Sequence, residues 1–301
     1  MARSPSSQTV RDMDDLNPFD RVDAVHRDGL VRLAATLNGA EPNGVPPLWH
    51  WTSFLDQSPS AALGPDGHPV GVGLIPHPPL PRRMLAGGRM KWMSSLPIGQ
   101  PIRRVASVGD FVQKEGSQGP LAFTTVKFLY IHRGETIAVE EQDIVYRPAV
   151  SASIEFGPSQ SATAAEPREE KWDLSHERVF GETELFRFSA LTFNSHRIHY
   201  DLGYAQNVER YPGLVVHGPL VVIQLLDLLR VEFGSDALER LSFRAIAPVF
   251  AGETVIFTAR SLGQDVKLEA GCNGRTVMRA QATLRQSVNF ARKPSIRDMT
   301  D

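Results

Sequence analysis

From Val221 to Phe233 the chain reads VVIQLLDLLRVEF, a run with no glycine or proline in which only Gln224, Asp227, Arg230 and Glu232 interrupt the apolar residues. A helix that is apolar nearly all round has no face to offer water, so it must be enclosed. Its start falls at Gly218-Pro219, since proline is tolerated in the first turn of a helix and not inside it. The economical enclosure is a curved antiparallel sheet, because one sheet can wrap a single helix and cover most of its circumference. The flanking sequence supplies the strands: LSFRAIAPVFAGETVIFTARSLGQDVKLEAGCNGRTVMRAQATLR alternates β-branched and polar residues between Gly-containing turns.

At 301 residues the chain is about twice a usual domain, which favours two compact units. Residues 157–170, GPSQSATAAEPREE, are small, polar and acidic, the composition of a linker. The expected units are therefore 20–150 and 171–286, and the second repeats the order of the first. Leu33–Asn38 (LAATLN) lies over Ser189–Asn194 (SALTFN) at an offset of 156, and MKWMSSLPIG from Met90 lies over FRAIAPVFAG from Phe243 at an offset of 153. Similar offsets at separate places point to duplication. In the first unit, Phe19 to Asn38 predicts helix or mixed structure, PPLWHWTSFLD a buried segment, and GGRMKWMSSLP, PLAFTTVKFLYIHRG and ETIAVEEQDIVYRP an antiparallel meander. Residues 57–88 are too rich in Gly and Pro for a long helix or a central strand and predict an ordered loop over a site.

Composition removes several function classes. The 32 Lys+Arg against 34 Asp+Glu leave a net charge of −2, so no basic footprint for nucleic acid is expected. Cys272 is the only cysteine, which excludes an internal disulfide and a multi-thiolate metal site and fits a reducing cytoplasm. No membrane-spanning apolar stretch is present, and the polar start MARSPSSQTVRDMDDLN lacks the apolar region of a secretory signal, so a cytoplasmic protein is expected.

The densest chemistry lies in TFNSHRIHYDLGYAQNVERYPGLVVHGPL, residues 192–220, where Asn194, His196, Arg197, His199, Tyr200 and Asp201 crowd together and His217-Gly218 opens the enclosed helix. This run resembles the motif of the MaoC-like, R-specific enoyl-thioester hydratases of the hot-dog fold: Asp-x-Asn-Pro-x-His-x-Asp, then Tyr-Ala, then His-Gly at the central helix. Asn194 and His199 stand at its Asp and His positions, Asp201 at the later Asp, Tyr204-Ala205 at the Tyr-Ala and His217-Gly218 at the His-Gly. With PPLWHWTSFLD, LGPDGHP and PLPRRMLAGGR in the first half, the chain is similar to the double-hot-dog branch that contains mesaconyl-C4-CoA hydratases and hydroxyacyl-thioester dehydratases of type 2. The resemblance implies an α+β double hot-dog, two antiparallel sheets each wrapped around a central helix, and a hydro-lyase acting on an acyl-CoA thioester. It implies no cofactor beyond the coenzyme A of the substrate, and homodimerisation of the whole chain stays open.

Chemistry of the residues agrees with that expectation. Adding water across a double bond conjugated to a thioester needs a base for the water proton, an acid for the α carbon and donors for the enolate oxygen. His199 is the candidate acid/base, and the N–H of Gly218 at a helix start the candidate oxyanion donor. Asn194 cannot ionise, so the family's Asp/His pair cannot transfer unchanged; Asn194 is expected to position the water, with Asp201 the alternative source of a carboxylate. His217 can serve the substrate or simply start the helix. His196-x-x-His199-x-Asp201 has metal-ligand types, but no further histidine cluster supports a metal, and none is expected.

Arg82, Arg83, Arg89, His196 and Arg197 are candidate substrate contacts, since a guanidinium can grip a distal carboxylate or the phosphates of coenzyme A. For the three early arginines an exposed basic face is the equal alternative. The first half keeps Asn38 but has no histidine beside it, so the catalytic unit should be the C-terminal one, with the N-terminal one accommodating the acyl chain. A hot-dog thioesterase and a non-catalytic acyl-CoA-binding module are the competing readings.

Overall fold

The structure of the chain, a computed structural model, describes residues 19–70, 80–116, 119–149, 171–286 and 288. The expected linker at 157–170 and residues 71–79 of the Gly/Pro-rich segment lie outside them. Strands form where apolar and polar residues alternate. The first half contains β1 (Arg21–Asp23), β2 (Arg82–Trp92), β3 (Ile102–Val108), β4 (Val112–Gly116), β5 (Gly119–His132) and β6 (Glu135–Arg147). The second contains β7 (Leu174–Val179), β8 (Leu238–Ala245), β9 (Thr254–Leu262), β10 (Asp265–Cys272) and β11 (Arg275–Leu284). Helices are α1 (Arg27–Thr36), α2 (Glu182–Leu191), the short α3 (Leu202–Asn207) and α4 (Gly218–Phe233).

All the strands belong to one sheet, in the order β1-β3-β5-β6-β2-β8-β11-β10-β9-β7, with β4 paired to β5 outside that path. Reading each half from its outer edge inward gives the same order of first, third, fourth, fifth and second strand, once β4 is set aside as an added ribbon. The helices α1 and α2, whose starts at Arg27 and Glu182 are 155 positions apart, pack against each other across the halves. This repetition of topology is what the two sequence offsets reflect.

The halves meet where β2 pairs antiparallel with β8, from Gly87 opposite Arg244 to Lys91 opposite Arg240. The midpoint falls at Arg89 opposite Ser242, 153 positions apart, which matches one offset in the sequence and marks a pseudo-two-fold axis. Two glycines make the approach possible. A Cβ on Gly87 would lie 2.4 Å from the Phe243 carbonyl oxygen, and one on Gly88 2.7 Å from that of Glu141 and 2.9 Å from the Phe243 ring.

The α4 helix is enclosed as its composition requires: Leu220, Val221, Val222, Ile223, Leu225, Leu226 and Leu229 are buried, and it packs on β7, β9 and β10. Its one buried polar side chain, Gln224, accepts a 2.7 Å hydrogen bond from Arg178 of β7, which also pairs with Glu184 and donates to the Leu37 carbonyl. The first half departs from the expectation of a central helix in each sheet. Among its described residues no long helix lies between α1 and β2; a 3-10 turn at Trp49–Thr52 stands in that stretch, with Trp49 buried and Trp51 half-buried. The two prolines before it and the left-handed Leu48, at φ 67, stop a longer helix from starting there.

Tight contact at the junction sets an expected outcome. Gly87→Ala should destabilise the protein by about 1–3 kcal/mol, because the new methyl meets a backbone atom that cannot move without disturbing the pairing. A lower urea midpoint at unchanged slope is the expected reading, and an unchanged midpoint would show that the joint has slack.

Candidate active site

Between the halves lies a cavity of about 770 Å³. Its walls include Trp51, Phe54, Arg83 and Tyr130 from the first half and Asn194, His196, His199 and Gly218 from the second. The histidine-bearing segment is shaped locally. Asn194 Oδ1 accepts from the His196 N–H at 3.0 Å, turning the chain into a 3-10 turn at Arg197–His199. The returning chain then pairs with that turn, Val215 N–H donating to the Ile198 carbonyl at 2.9 Å.

His199 is buried, and its Nδ1 lies 2.7 Å from the Val215 carbonyl oxygen. A carbonyl can only accept, so Nδ1 carries the hydrogen and Nε2 presents a lone pair. Burial pushes the His199 pKa down to about 4, with the neighbouring His68 acting in the same direction and the Val215 bond opposing it. His217, fully buried, stacks on His199 with ring centroids 3.7 Å apart, and its Nε2 lies 2.8 Å from Ser189 Oγ. Burial drives His217 well below the usual histidine range, and His196 also. Three imidazoles are thus held uncharged side by side, and His199 is the one whose free nitrogen has a defined orientation.

The other expected residues separate. Gly218 begins α4 at the cavity, where an added Cβ would meet nothing within 4 Å; its N–H is among those a helix start leaves without an intrahelical acceptor. His217 is not among the residues that line the cavity; it stacks on the His199 ring behind it. Arg83 lines the cavity and makes no ion pair among the described residues; burial lowers its pKa. Arg82 is engaged by Glu209 and by the Tyr211 hydroxyl. Arg89 points to solvent, bonded to Glu141 and bidentate to Asp143, because the alternation of β2 buries Met90 and turns Arg89 outward. Arg197 is bonded to Asp201 and to the Pro65 carbonyl and stacks over Tyr204. Asp201 caps α3 through the Tyr204 N–H, so neither residue is turned into the cavity.

Several residues at the wall, and Glu140 behind it, carried no marker in the sequence. Arg104 and Arg147 line the cavity with Nε atoms that lack a hydrogen-bond partner among the described residues, and Arg104 lies over the Phe128 ring. Buried Glu140 accepts from Trp51 Nε1, the Tyr130 hydroxyl and Gln142 Nε2, and lies 3.1 Å from His50 Nε2. Burial pushes its carboxyl up, but these donors outweigh it and hold the pKa at about 2. The expected loop over 57–88 holds only at its first end: Arg82–Gly88 belong to β2, a central strand between β6 and β8 in which glycine permits close backbone pairing, whereas Gly67, at φ +90, lies so close to Ser195 that a Cβ would stand 1.8 Å from the Ser195 carbonyl oxygen. It brings Asp66 and His68 to His196, with Asp66 Oδ2 engaged by His68 Nδ1 at 2.9 Å.

Burial of neutral histidines links stability to pH. A folded pKa below the unfolded value means that the unfolded chain binds more protons at intermediate pH, so stability is full above about pH 6.5 and falls as pH drops toward about 4. His199 alone should cost about 2 kcal/mol between pH 7 and pH 5. Urea unfolding at the two values measures this, and His199→Gln should flatten the difference.

The hydroxyacyl-thioester dehydratase type 2 family matches residues 48–251, which reach into both halves and include most residues of the cavity wall. The chain is 45% identical over 263 residues to the mesaconyl-C(4)-CoA hydratase of Chloroflexus aurantiacus, covering 84% of this chain and 90% of that one. It is 26% identical over 267 residues to the mitochondrial hydroxyacyl-thioester dehydratase type 2 of Schizosaccharomyces pombe, covering 78% and 84%. A MaoC-like dehydratase from Phytophthora capsici shares the fold at a TM-score of 0.66 and 15% identity, over 89% of this chain and 96% of that one. A match that takes in the β2–β8 joint and the histidine wall, together with 45% identity over most of the chain, places this chain in the hydroxyacyl-thioester dehydratase type 2 family of MaoC-like hot-dog hydro-lyases.

Proposed function

We propose that the protein adds water to the double bond of a mesaconyl-C4-CoA-type ester, giving a citramalyl- or malyl-type CoA ester. The observation that carries this reading is the setting of His199: a neutral imidazole, its Nδ1–H fixed on Val215, faces a cavity large enough for an acyl group. The Nε2 lone pair takes the water proton as oxygen bonds to the β carbon. Asn194, whose Oδ1 is engaged by the His196 N–H, has its Nδ2 hydrogens to hold that water. The Gly218 N–H and the α4 dipole stabilise the enolate oxygen of the thioester. The C-terminal half thus carries the acid/base group, and the N-terminal half the acyl wall.

Arg83 distinguishes this substrate from a neutral enoyl chain. A guanidinium at the wall of a cavity, without a carboxylate partner among the described residues, is suited to a substrate that brings one. His196 lines the cavity as a neutral contact, whereas Arg82, Arg89 and Arg197 are engaged elsewhere. No helix among the described residues is long and apolar enough to cross a membrane. The single cysteine supports a cytoplasmic setting.

Hydration measured across mesaconyl-C4-CoA, itaconyl-CoA, crotonyl-CoA and a long-chain enoyl-CoA should favour the first, with release of free thiol marking a thioesterase instead. His199→Ala should lower turnover by at least about 100-fold, and the wild-type hydration rate should fall as pH drops through about 4, where His199 gains its proton. Near-normal turnover of a folded His199→Ala variant would remove it from the mechanism. Arg83→Met should weaken mesaconyl-C4-CoA selectively over crotonyl-CoA, by about 2–5 kcal/mol in kcat/KM. Arg89→Met and Arg197→Met should alter the two substrates alike. Equal losses on both substrates in Arg83→Met would assign that arginine to the carrier or the fold.

A further inference from the structure

His68 is a histidine at the cavity that the reaction as derived does not use. It stands in the turn Gly64-Pro65-Asp66-Gly67-His68, closed by Gly67 N–H to the Gly64 carbonyl at 2.9 Å and Gly64 N–H to the His68 carbonyl at 2.7 Å. Asp66 binds the same histidine twice: Oδ1 accepts from the His68 backbone N–H at 3.0 Å, and Oδ2 lies 2.9 Å from Nδ1. A carboxylate on Nδ1 fixes the hydrogen there, orients the ring and balances the charge when Nε2 takes a proton. Although burial raises the Asp66 carboxyl, its bonds to His68 bring it below the usual value, so the pair keeps its carboxylate ionised.

The turn is locked to the catalytic segment of the other half. Ser195 Oγ donates to the Gly67 carbonyl at 2.6 Å, Arg197 N–H to that of Asp66 at 2.9 Å and the Arg197 guanidinium to that of Pro65 at 2.9 Å. Only a glycine at 67 permits this approach, as its φ of +90 and the 1.8 Å clash of an added Cβ show. The consequence is a row of imidazoles, with His68 4.2 Å from His196 and His196 5.4 Å from His199, ring centre to ring centre. A second proton-handling group, oriented by its own aspartate, therefore reaches the cavity beside a site whose motif has lost its carboxylate at Asn194.

We propose that His68, oriented by Asp66, is a second acid/base of the hydration, taking over the proton transfer that Asn194 cannot perform. This rests on the hydratase reading above. As the water oxygen bonds to the β carbon, its proton passes to His199 Nε2 and the π electrons move toward the thioester. The α carbon then takes a proton from protonated His68 Nε2. His199 has gained one proton and His68 has lost one, and exchange with water in the cavity restores both. In the dehydration direction the roles reverse, with His68 removing the α proton and His199 protonating the departing hydroxyl.

Steady-state hydration of mesaconyl-C4-CoA by the full chain tests this in His68→Gln, Asp66→Asn and His199→Ala. His68→Gln is expected to lower kcat by at least about 100-fold with KM within about threefold, the pattern of a group needed in the transition state. Asp66→Asn keeps the shape of the turn. Its amide donates to Nδ1 and leaves the hydrogen on Nε2, so kcat should fall by at least about tenfold even if the His68 variant does not fold. Smaller kcat losses in folded variants, or a change confined to KM, overturn the proposal. Should they occur while His199→Ala is inert, the hydratase reading stands and only the role of His68 is lost. A wild-type protein that hydrates none of the four thioesters removes both.

Discussion

Two curved sheets become one at β2 and β8, and the closeness of that joint rests on side chains that are absent. Gly87 and Gly88 let the backbone of β2 lie against the Phe243 and Glu141 carbonyls and the Phe243 ring. The joint also satisfies two strand edges that separate hot-dogs would expose. Its geometric consequence is functional: the cavity draws one wall from each half, so its shape depends on the angle at which they meet. A chain with either half alone would have only part of the wall.

Electrostatic character differs across that cavity. On the C-terminal side, burial keeps His196, His199 and His217 uncharged at neutral pH. On the N-terminal side the buried Glu140 is satisfied by Trp51, Tyr130 and Gln142, with His50 beside it, and breaking any of these bonds would strand a buried polar group. These polar groups occupy the half that has no counterpart of α4 among its described residues. One half therefore encloses an apolar helix, while the concave side of the other contributes space and orientation to the cavity.

Loss of a carboxylate at the motif position changes how a hydro-lyase of this family can work. Asn194 retains a local task, turning the chain at His196, which a carboxylate oxygen could also perform. What it cannot do is exchange a proton. The loop bearing Asp66 and His68 approaches from the opposite half and presents a pair that can, at a distance set by backbone hydrogen bonds rather than by flexible side chains.

Features written in local order were legible from the sequence. The apolar run after Gly218 dictated an enclosed helix, alternation dictated the strands, and the two offsets announced a repeated topology because duplicated chains keep their strand order. That Asn194, His199 and Gly218 share a neighbourhood was legible because they crowd into one segment and its continuation. The arginines show the boundary of that legibility: Arg82, Arg83 and Arg89 are near neighbours in sequence, but strand alternation and tertiary partners send Arg89 to solvent and Arg82 to Glu209, leaving Arg83 at the cavity. Arg104 carries no local mark of a site, and although His68 stands in LGPDGHP within the expected loop, what puts either at the cavity is the company of residues far away in the chain. Sequence by itself determined which segments bury and which residue types can move protons. Only the tertiary structure decided which charges are already paired and which groups from the two halves face each other, because those are set by contacts between distant segments.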